Sequence, residues 1–309
     1  MSATMPGETA PAGATALITV CVCTFKRPQL LTRLLHEIAR QHTDGAFAYR
    51  VVVVDNDERQ SAREPVEAIR RSAAFDLVYV VEPEQNIAMA RNRAVENAAG
   101  EYLAFIDDDE FPGPDWLGTM HRALVQYRVD GVLGPVLPHY EQTPPDWIVR
   151  GRFHDRPSHA SGEILTWTFT RTGNALLKRA LFDAPGTRFR PEFGSGGEDR
   201  DLFRRLIESG WRFAWCAEAP VYESIPAERL KRGFMLRRAL LRGKTPYNHT
   251  PRAYLRSAVA IPAYTIALPF LLLSGQHRFM RCLVSYFDHV GRILALLGAD
   301  VIKDKYVIK

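Results

Sequence analysis

Apolar positions in the first hundred residues follow two alternating rhythms. Residues 17–23 form a short run of β-formers, and residues 49–54 are apolar almost without a break, the pattern of a strand buried on both faces. Between them Pro28 opens a segment in which Leu30, Leu31, Leu34, Leu35 and Ile38 recur at helical spacing. The alternation continues with a polar helix over 62–72, a strand over 77–81, a helix over 86–99 stopped by Gly100, and a strand over 102–106. Repeated strand–helix–strand units predict an α/β fold with a mostly parallel sheet and helices on both faces.

Beyond residue 110 the rhythm loosens. The pattern predicts a helix over 116–127, a strand over 131–137, a proline-rich basic loop over 143–161 and strands over 165–170 and 174–177. A glycine-rich turn over 193–197 leads to a helix over 199–208 with Leu202, Phe203, Leu206 and Ile207 inward. Residues 257–273 are mostly apolar, at the short limit for a spanning helix, and contain Pro262 and Pro269. Residues 283–297 group Leu283, Phe287, Val290, Leu294 and Leu297 on one side of a second helix. Arg252 and Arg256 precede this region's apolar run and Arg278 and Arg281 follow it. Basic residues at both ends predict a segment that lies on the cytoplasmic face of a membrane without crossing it, the alternatives being two buried helices packed on the catalytic domain or a true transmembrane helix. The expected layout is a disordered leader over 1–16, one α/β domain over 17–245, and a basic, apolar helical extension over 246–309 that associates with the membrane. The leader has no basic start and no apolar stretch suited to a signal peptide, so a cytoplasmic, peripheral location on the inner face is expected.

Composition adds limits. Apolar residues are 46% and charged residues 24% of the chain, ordinary for a globular protein with a real core. Four cysteines are too few and too badly spaced for a disulfide framework, and Cys21 and Cys23 share one strand face as core residues. The net charge of +5 hides an asymmetry: residues 225–281 carry eleven basic residues and one acid, leaving −5 for the rest. The C-terminal third therefore suits polyphosphate groups or anionic lipid headgroups. Nucleic acid is not expected as a partner, because the motifs point elsewhere.

Ligands of such sheets bind beyond the carboxyl ends of the strands. Three strands deliver polar clusters there: Thr24-Phe25-Lys26-Arg27, Asp55-Asn56-Asp57 and Asp107-Asp108-Asp109-Glu110. Four adjacent acids repel one another and lose hydration if buried unpaired. A divalent cation, Mg²⁺ or Mn²⁺, relieves both problems and is usually completed by substrate phosphates; a solvated acidic turn is the alternative. Asp55 is placed to accept hydrogen bonds from a ribose or base, or to cap the following turn. Asn86 fits a helix N-cap, and Arg91, one turn on, is within reach of the acidic cluster. Glu198 and Asp199 follow a glycine turn, where they suit either a helix start or a general base.

Taken in order, Thr24-Phe25-Lys26-Arg27-Pro28, Val54-Asp55-Asn56, Asn86 with Ala90-Arg91-Asn92, Phe105-Ile106-Asp107-Asp108-Asp109, Thr172-Gly173-Asn174 and Gly197-Glu198-Asp199 resemble family 2 glycosyltransferases, over roughly residues 17 to 245. The nearest flavour is the bacterial exopolysaccharide type, which extends lipid-linked sugars. The resemblance implies a GT-A fold and an inverting, metal-dependent transfer from a nucleotide-sugar, with UDP as the expected nucleotide, to a saccharide acceptor. It places Thr24, Phe25, Arg27 and Asp55 at the nucleotide, Asp107 and Asp109 in the Asp-x-Asp motif with Asp109 as the direct metal ligand, and Asp108 beside them. Asn86 and Arg91 fall on the donor side and Asn174 near the donor sugar. It makes Asp199 the catalytic base with Glu198 beside it, and sets Arg238 against the diphosphate. Two departures stand out: Asn86-Ile87-Ala88 replaces Asn-x-Gly, and Glu223 stands where many relatives carry a metal- or phosphate-contacting His. Trp116, Trp167 and Phe193 are candidates for stacking on acceptor sugars.

Two rival classes share parts of this pattern. A nucleotidyltransferase that makes nucleotide-sugars normally carries a glycine-rich basic loop after its first strand, and residues 24–28 hold no glycine. A non-catalytic nucleotide-sugar-binding protein would keep Asp55 and Asp107 but need no Asp199. A Rossmann dehydrogenase is disfavoured, since no Gly-x-Gly-x-x-Gly follows the first strand.

Overall fold

The structure, a computed structural model, describes residues 15–194, 196–243 and 249–299. All but Thr15 and Ala16 of the expected leader lies outside the described residues, as do Ser195, Lys244 and the expected domain boundary at 245/246. Ala16 already belongs to the first strand.

The main sheet takes its parallel half from β1 (Ala16–Thr24), β2 (Phe47–Asp55), β3 (Asp76–Val81) and β4 (Tyr102–Ile106). It is extended by β6 (Gly131–Leu133), β8 (Asn174–Lys178) and β9 (Phe213–Trp215), giving the order β3-β2-β1-β4-β8-β6-β9. β8 runs antiparallel to both β4 and β6; the other pairings are parallel. Successive side chains on a strand face opposite ways, so the Val51–Val54 run fills two layers. Val51 and Val53 join Leu31, Leu34, Leu35 and Ile38 of α1 (Pro28–Ile38) and Leu117 and Met120 of α4 (Trp116–Tyr127). Val52 and Val54 join Ala90 and Ala94 of α3 (Ile87–Glu96) and Leu202, Phe203 and Leu206 of α6 (Glu198–Glu208). Both layers exclude water from the strands, so the polar residues collect at the strand ends. The register sets Thr24 beside Asp55 and Ile106 beside Asn174.

A second sheet joins β5 (Glu110–Pro112), β10 (Val221–Ile225) and β7 (Val136–Tyr140). The strand expected over 131–137 is thus two strands in two sheets, broken at Gly134-Pro135. A Cβ on Gly134 would lie 2.5 Å from the Asn174 amide nitrogen, so the chain passes too close there for any larger residue. The strand expected over 165–170 does not form. Leu165 is buried, but Thr166, Thr168 and Phe169 face solvent and the segment closes into a 3₁₀ turn, Trp167–Phe169. The loop expected over 143–161 contains α5 (Asp146–Gly151), because Trp147 and Ile148 find a third core.

That core corrects the reading of the C-terminal region. It combines α5 with α7 (Arg232–Gly243) and α9 (Gln276–Leu296), through Met235, Ala239, Met280 and Val284. The helix expected over 283–297 as a membrane-facing element starts earlier and spends Leu283 and Phe287 on this protein contact instead. Gly243 and Gly291 let the two backbones touch: a Cβ on Gly291 would fall 2.4 Å from the Leu240 carbonyl oxygen. Between them α8 (Pro251–Leu271) continues through Pro262 and Pro269 and has only Ser257 buried. Leu255, Val259, Ile266 and Phe270 are each about two-thirds exposed or more.

The glycine crossing is testable. Gly291→Ala forces a methyl group into α7 and lowers stability by about 1–3 kcal/mol, read as a lower urea midpoint. Gly233→Ala, on the same pair of helices but in open space, leaves stability unchanged or raises it by up to about 1 kcal/mol. Equal effects of the two would contradict the close approach.

Candidate active site

The ends of β1 and β4 and the start of β5 surround a cleft of about 290 Å³ lined by Thr24, Phe25, Arg27, Asn56, Arg91, the three aspartates 107 to 109, Arg156, Gly196 and Glu223. Asp107 is the most exposed of the acids, with 43% of its side chain open, whereas Asp108, Asp109 and Glu110 are buried. Burial of adjacent carboxylates requires countercharge, and arginines from four separate segments supply it. Arg27 Nη1 reaches Asp108 (3.0 Å) and Asp109 (3.2 Å). Arg229 binds Asp109 (3.0 Å) and Glu223 (2.8 Å). Arg156 binds Glu223 (2.6 Å) and lies 4.0 Å from Glu110. Arg91, itself buried, joins Asp107 (3.1 Å) to Glu198. Thr24 donates its hydroxyl proton to Asp108 (2.8 Å). Lys26, at φ 54°, takes the left-handed conformation that turns the chain between Thr24 and Arg27.

The compensation is incomplete. These pairs join six carboxylates, of Asp107, Asp108, Asp109, Glu110, Glu198 and Glu223, to four guanidiniums. Fully ionised, the set carries −2. Burial pushes Asp108 up to about 6 despite Arg27, and Glu198 up to about 7 despite Arg91. Burial and then Glu223 raise Asp109; burial and then Asp107 push Glu110 well above the ordinary value. Glu223 is the exception: burial raises it, but Arg156 and Arg229 outweigh burial and hold it below the usual value. One oxygen of Glu110 and one of Glu198 are buried without a hydrogen-bond partner. Among the described residues, no three His, Cys, Asp or Glu side chains converge into a preformed metal cage. An excess of carboxylate oxygen without a closed cage fits a hard cation finished by substrate oxygens.

The expected site residues divide by what their side chains touch. Thr24, Phe25, Arg27, Arg91, Asp107, Asp108, Asp109 and Glu223 all line the cleft. Glu223 reaches it with both oxygens already held by Arg156 and Arg229, so it is an arginine clamp rather than a free metal ligand. Asp55 is fully buried and accepts from the Asp57 and Ala62 N–H groups and the Tyr79 hydroxyl, fixing the turn after β2. Asn86 caps α3 through the Ala88 and Met89 N–H groups and donates to the Pro191 carbonyl, tying that helix to the glycine turn. Asn174 accepts from the Trp116 indole and donates to the Pro135 and Ala219 carbonyls, a buried strut. Arg238, on α7, makes no ion pair among the described residues and sits in the field of Glu223, Arg242, Arg229 and Arg156.

The glycine turn separates the two neighbouring acids. Gly196 (φ 124°) and Gly197 (φ 98°) take conformations that side chains resist. They deliver Glu198 inward to Arg91, whereas Asp199 stays half-exposed and, among the described residues, accepts a hydrogen bond from the Arg200 N–H. Arg156 and Arg229 are absent from the motifs; Arg229 lies in the basic run and Arg156 in the proline-rich segment, and only tertiary structure brings both to Glu223. A second hollow, of about 90 Å³, shares Arg156 with the cleft and is lined by Thr168, Phe169, Arg171 and Trp215. The Trp215 indole nitrogen is buried there without a partner. Of the aromatic residues suggested by sequence, Trp116 is core, and Trp167 lies under the Arg204 guanidinium at 5.7 Å.

The site thus sits on an α/β sheet with acids at the end of its fourth strand and a Glu-Asp pair after a glycine turn. The chain belongs to glycosyl transferase family 2, whose model matches residues 19–188, and is a glycosyltransferase. It is similar to the succinoglycan biosynthesis protein ExoM of Rhizobium meliloti, 39% identical over 243 residues, covering 78% of this chain and 75% of that protein. It is similar to the validoxylamine A glucosyltransferase of Streptomyces hygroscopicus subsp. limoneus, 29% identical over 252 residues, covering 71% of this chain and 54% of that one. Among solved structures it resembles S. aureus TarS 1–349 in complex with UDP-GlcNAc, with TM-score 0.55, 18% identity and coverage of 72% and 65%. It also resembles GalNAc-T7 with UDP, GalNAc and Mn²⁺, with TM-score 0.51, 12% identity and coverage of 69% and 44%. The chain thus spans under two thirds of either structure, and the likeness shows a GT-A-like fold.

Glu198 gives a pH test. Its folded-state pKa lies above the ordinary 4.5, so its contribution to stability is present below pH 4.5 and is lost as pH rises through about 7. Glu198→Gln keeps the uncharged form at every pH. The stability of the wild type minus that of Glu198→Gln, from urea unfolding, therefore falls between about pH 4.5 and pH 8. A difference that stays flat or grows contradicts the assignment.

Proposed function

We propose that the protein transfers a sugar from a UDP-sugar to a saccharide carried on a membrane lipid, inverting the anomeric carbon, in cell-surface or exopolysaccharide synthesis. The observation that carries this reading is the cleft's uncompensated carboxylate charge beside arginines able to meet a diphosphate. Support comes from the relative named for succinoglycan biosynthesis and from fold neighbours bound to UDP-GlcNAc and to UDP with Mn²⁺.

Asp109 and Asp107 would hold Mg²⁺ or Mn²⁺ together with donor phosphate oxygens. The ion, when bound, offsets charge on the departing nucleoside diphosphate. Arg27 and Arg229, which bracket Asp109, add positive charge at the same place, and Arg238 extends it. Thr24 and Phe25 line the nucleotide side, and Asp55 and Asn86 act through the backbone they fix. Arg91 positions Asp107 and Glu198. Asp199, the more accessible carboxylate, removes the acceptor hydroxyl proton as that oxygen bonds to the anomeric carbon. The bond from carbon to the diphosphate oxygen breaks in the same step, and its electron pair leaves with UDP. The hollow lined by Phe169 and Trp215 suits an acceptor sugar, whose face stacks on aromatic rings. Helix α8 is, among the described residues, long and apolar enough to cross a membrane. Its exposed apolar side and basic flanks support docking on the cytoplasmic face, where a lipid-linked acceptor presents its sugar.

Chelation abolishes transfer from a labelled donor, and Mg²⁺ or Mn²⁺ restores it. Asp109→Ala loses metal-dependent donor binding, read by thermal shift with UDP. Full activity in excess chelator contradicts the metal assignment. Asp199→Asn preserves size while removing the proton acceptor, and lowers turnover by roughly 10² to 10⁴ with little change in donor affinity. Glu198→Gln has the smaller effect; the reverse order would move the base to Glu198.

A further inference from the structure

A cavity of about 300 Å³ lies among the C-terminal helices, apart from the donor cleft. Arg242 comes from α7, Arg256 and Tyr264 from α8, and Ser285, Asp288, His289 and Arg292 from α9. Arg242 is matched by Asp288 in a two-point pair at 3.0 Å. Arg256 and Arg292 have no carboxylate within salt-bridge distance among the described residues, so the wall keeps a formal charge of +2. Arg292 is held in place instead by the Ser257 hydroxyl (2.8 Å) and His289 Nδ1 (3.2 Å), and its Nε is buried without a partner. An arginine only donates, so Nδ1 of His289 accepts and the ring proton sits on Nε2. His289 is thereby a neutral donor, and the Tyr264 ring packs beside it at 5.8 Å between centroids. Two guanidiniums without a carboxylate partner among the described residues, that of Arg292 with an unmet Nε–H, and the hydroxyls of Tyr264 and Ser285 form a donor-rich wall, whose carboxylate, Asp288, is taken up by Arg242. Such a wall suits an oxyanion with several acceptor oxygens.

We propose that this cavity binds the phosphate group of a lipid headgroup. The lipid source follows from α8, because the helix that supplies Arg256 and Tyr264 also carries the exposed Leu255, Val259 and Ile266. One helix therefore offers an oxyanion site and an apolar surface for acyl chains. The proposal rests on the docking of α8 at the membrane and not on the assignment of donor, metal or base. It adds a defined point of attachment, centred on Arg256 and Arg292, to a contact otherwise made by diffuse charge and apolar area.

The test uses soluble probes that present no membrane field: dihexanoyl phosphatidic acid below its micelle concentration, and inorganic phosphate, each titrated into the full chain by calorimetry. Saturable binding of the short-chain lipid, at least about tenfold tighter than inorganic phosphate, is expected, since its acyl chains bury apolar area on α8. Arg256→Gln, at an exposed position, weakens that binding about tenfold, the usual loss of a charge-assisted hydrogen bond. Arg278→Gln, basic and exposed but outside the cavity, leaves it unchanged. Arg292→Gln weakens it as well, with UDP-induced thermal stabilisation retained to show that the chain is folded. Equal affinity for inorganic phosphate overturns the lipid source. Absence of saturable binding, or equal loss from Arg256→Gln and Arg278→Gln, overturns the site. None of these results changes UDP binding or sugar transfer to a soluble acceptor, so failure here and failure of the proposed reaction are read separately.

Discussion

Burying adjacent carboxylates at the end of β4 is the constraint around which the rest of the protein is arranged. Asp108, Asp109 and Glu110 leave water because β4 lies between two apolar layers and β5 turns back against β10. Each then needs a cation from elsewhere in the chain. Arg27 follows β1, Arg91 sits on α3, Arg156 comes from the segment after α5, and Arg229 precedes α7. These contacts link the sheet, the glycine turn and the start of the C-terminal helices to one cleft. They also leave the acids in excess, while burial holds the pKa values of Asp108 and Glu198 above the ordinary range. Protons, or any cation that binds there, would stabilise a site built this way, which couples such binding to the stability of the fold.

The parallel half of the fold was legible because its physics is local. Val51 to Val54 are buried on both sheet faces, and the leucines of α1 recur at helical spacing, so strand and helix announce themselves by periodicity. The antiparallel half was less readable. Residues 165–170 carry β-forming Thr and Trp, but the chain bonds to β9 through the bridge at Ile164 and the Leu165 N–H and then turns away, and pairing rather than propensity decides. Residues 131–137 read as one apolar run because sequence does not reveal that Gly134 and Pro135 hand the chain from one sheet to another. The acidic motif and the glycine turn could be found from residue type and order. The arginines that balance them, Arg156 and Arg229, could not, because a lone arginine carries no periodicity and its partner lies across the fold. Asp55 and Asn174 show the converse: they occupy the expected motif positions, yet their side chains are consumed by structural hydrogen bonds.

The C-terminal helices divide the labour that the sequence ascribed to them together. Apolar residues on α9 are spent against α5 and α7, where Gly243 and Gly291 permit contact close enough to fix the helices. Among the described residues, α8 keeps its apolar side largely uncovered. Helix α8 packs on α9, α9 packs on α7, and the segment just before α7 connects back to the cleft through Arg229.

The most direct test of the charge account is a crystal structure with UDP and Mn²⁺, using anomalous scattering to locate the metal. The account predicts one anomalous peak in the cleft, contacting Asp109 and the UDP diphosphate, with Arg27 and Arg229 turned from Asp109 toward phosphate. UDP bound in the cleft with no anomalous peak beside Asp107 or Asp109, and with both arginines still paired to the acids, would contradict it.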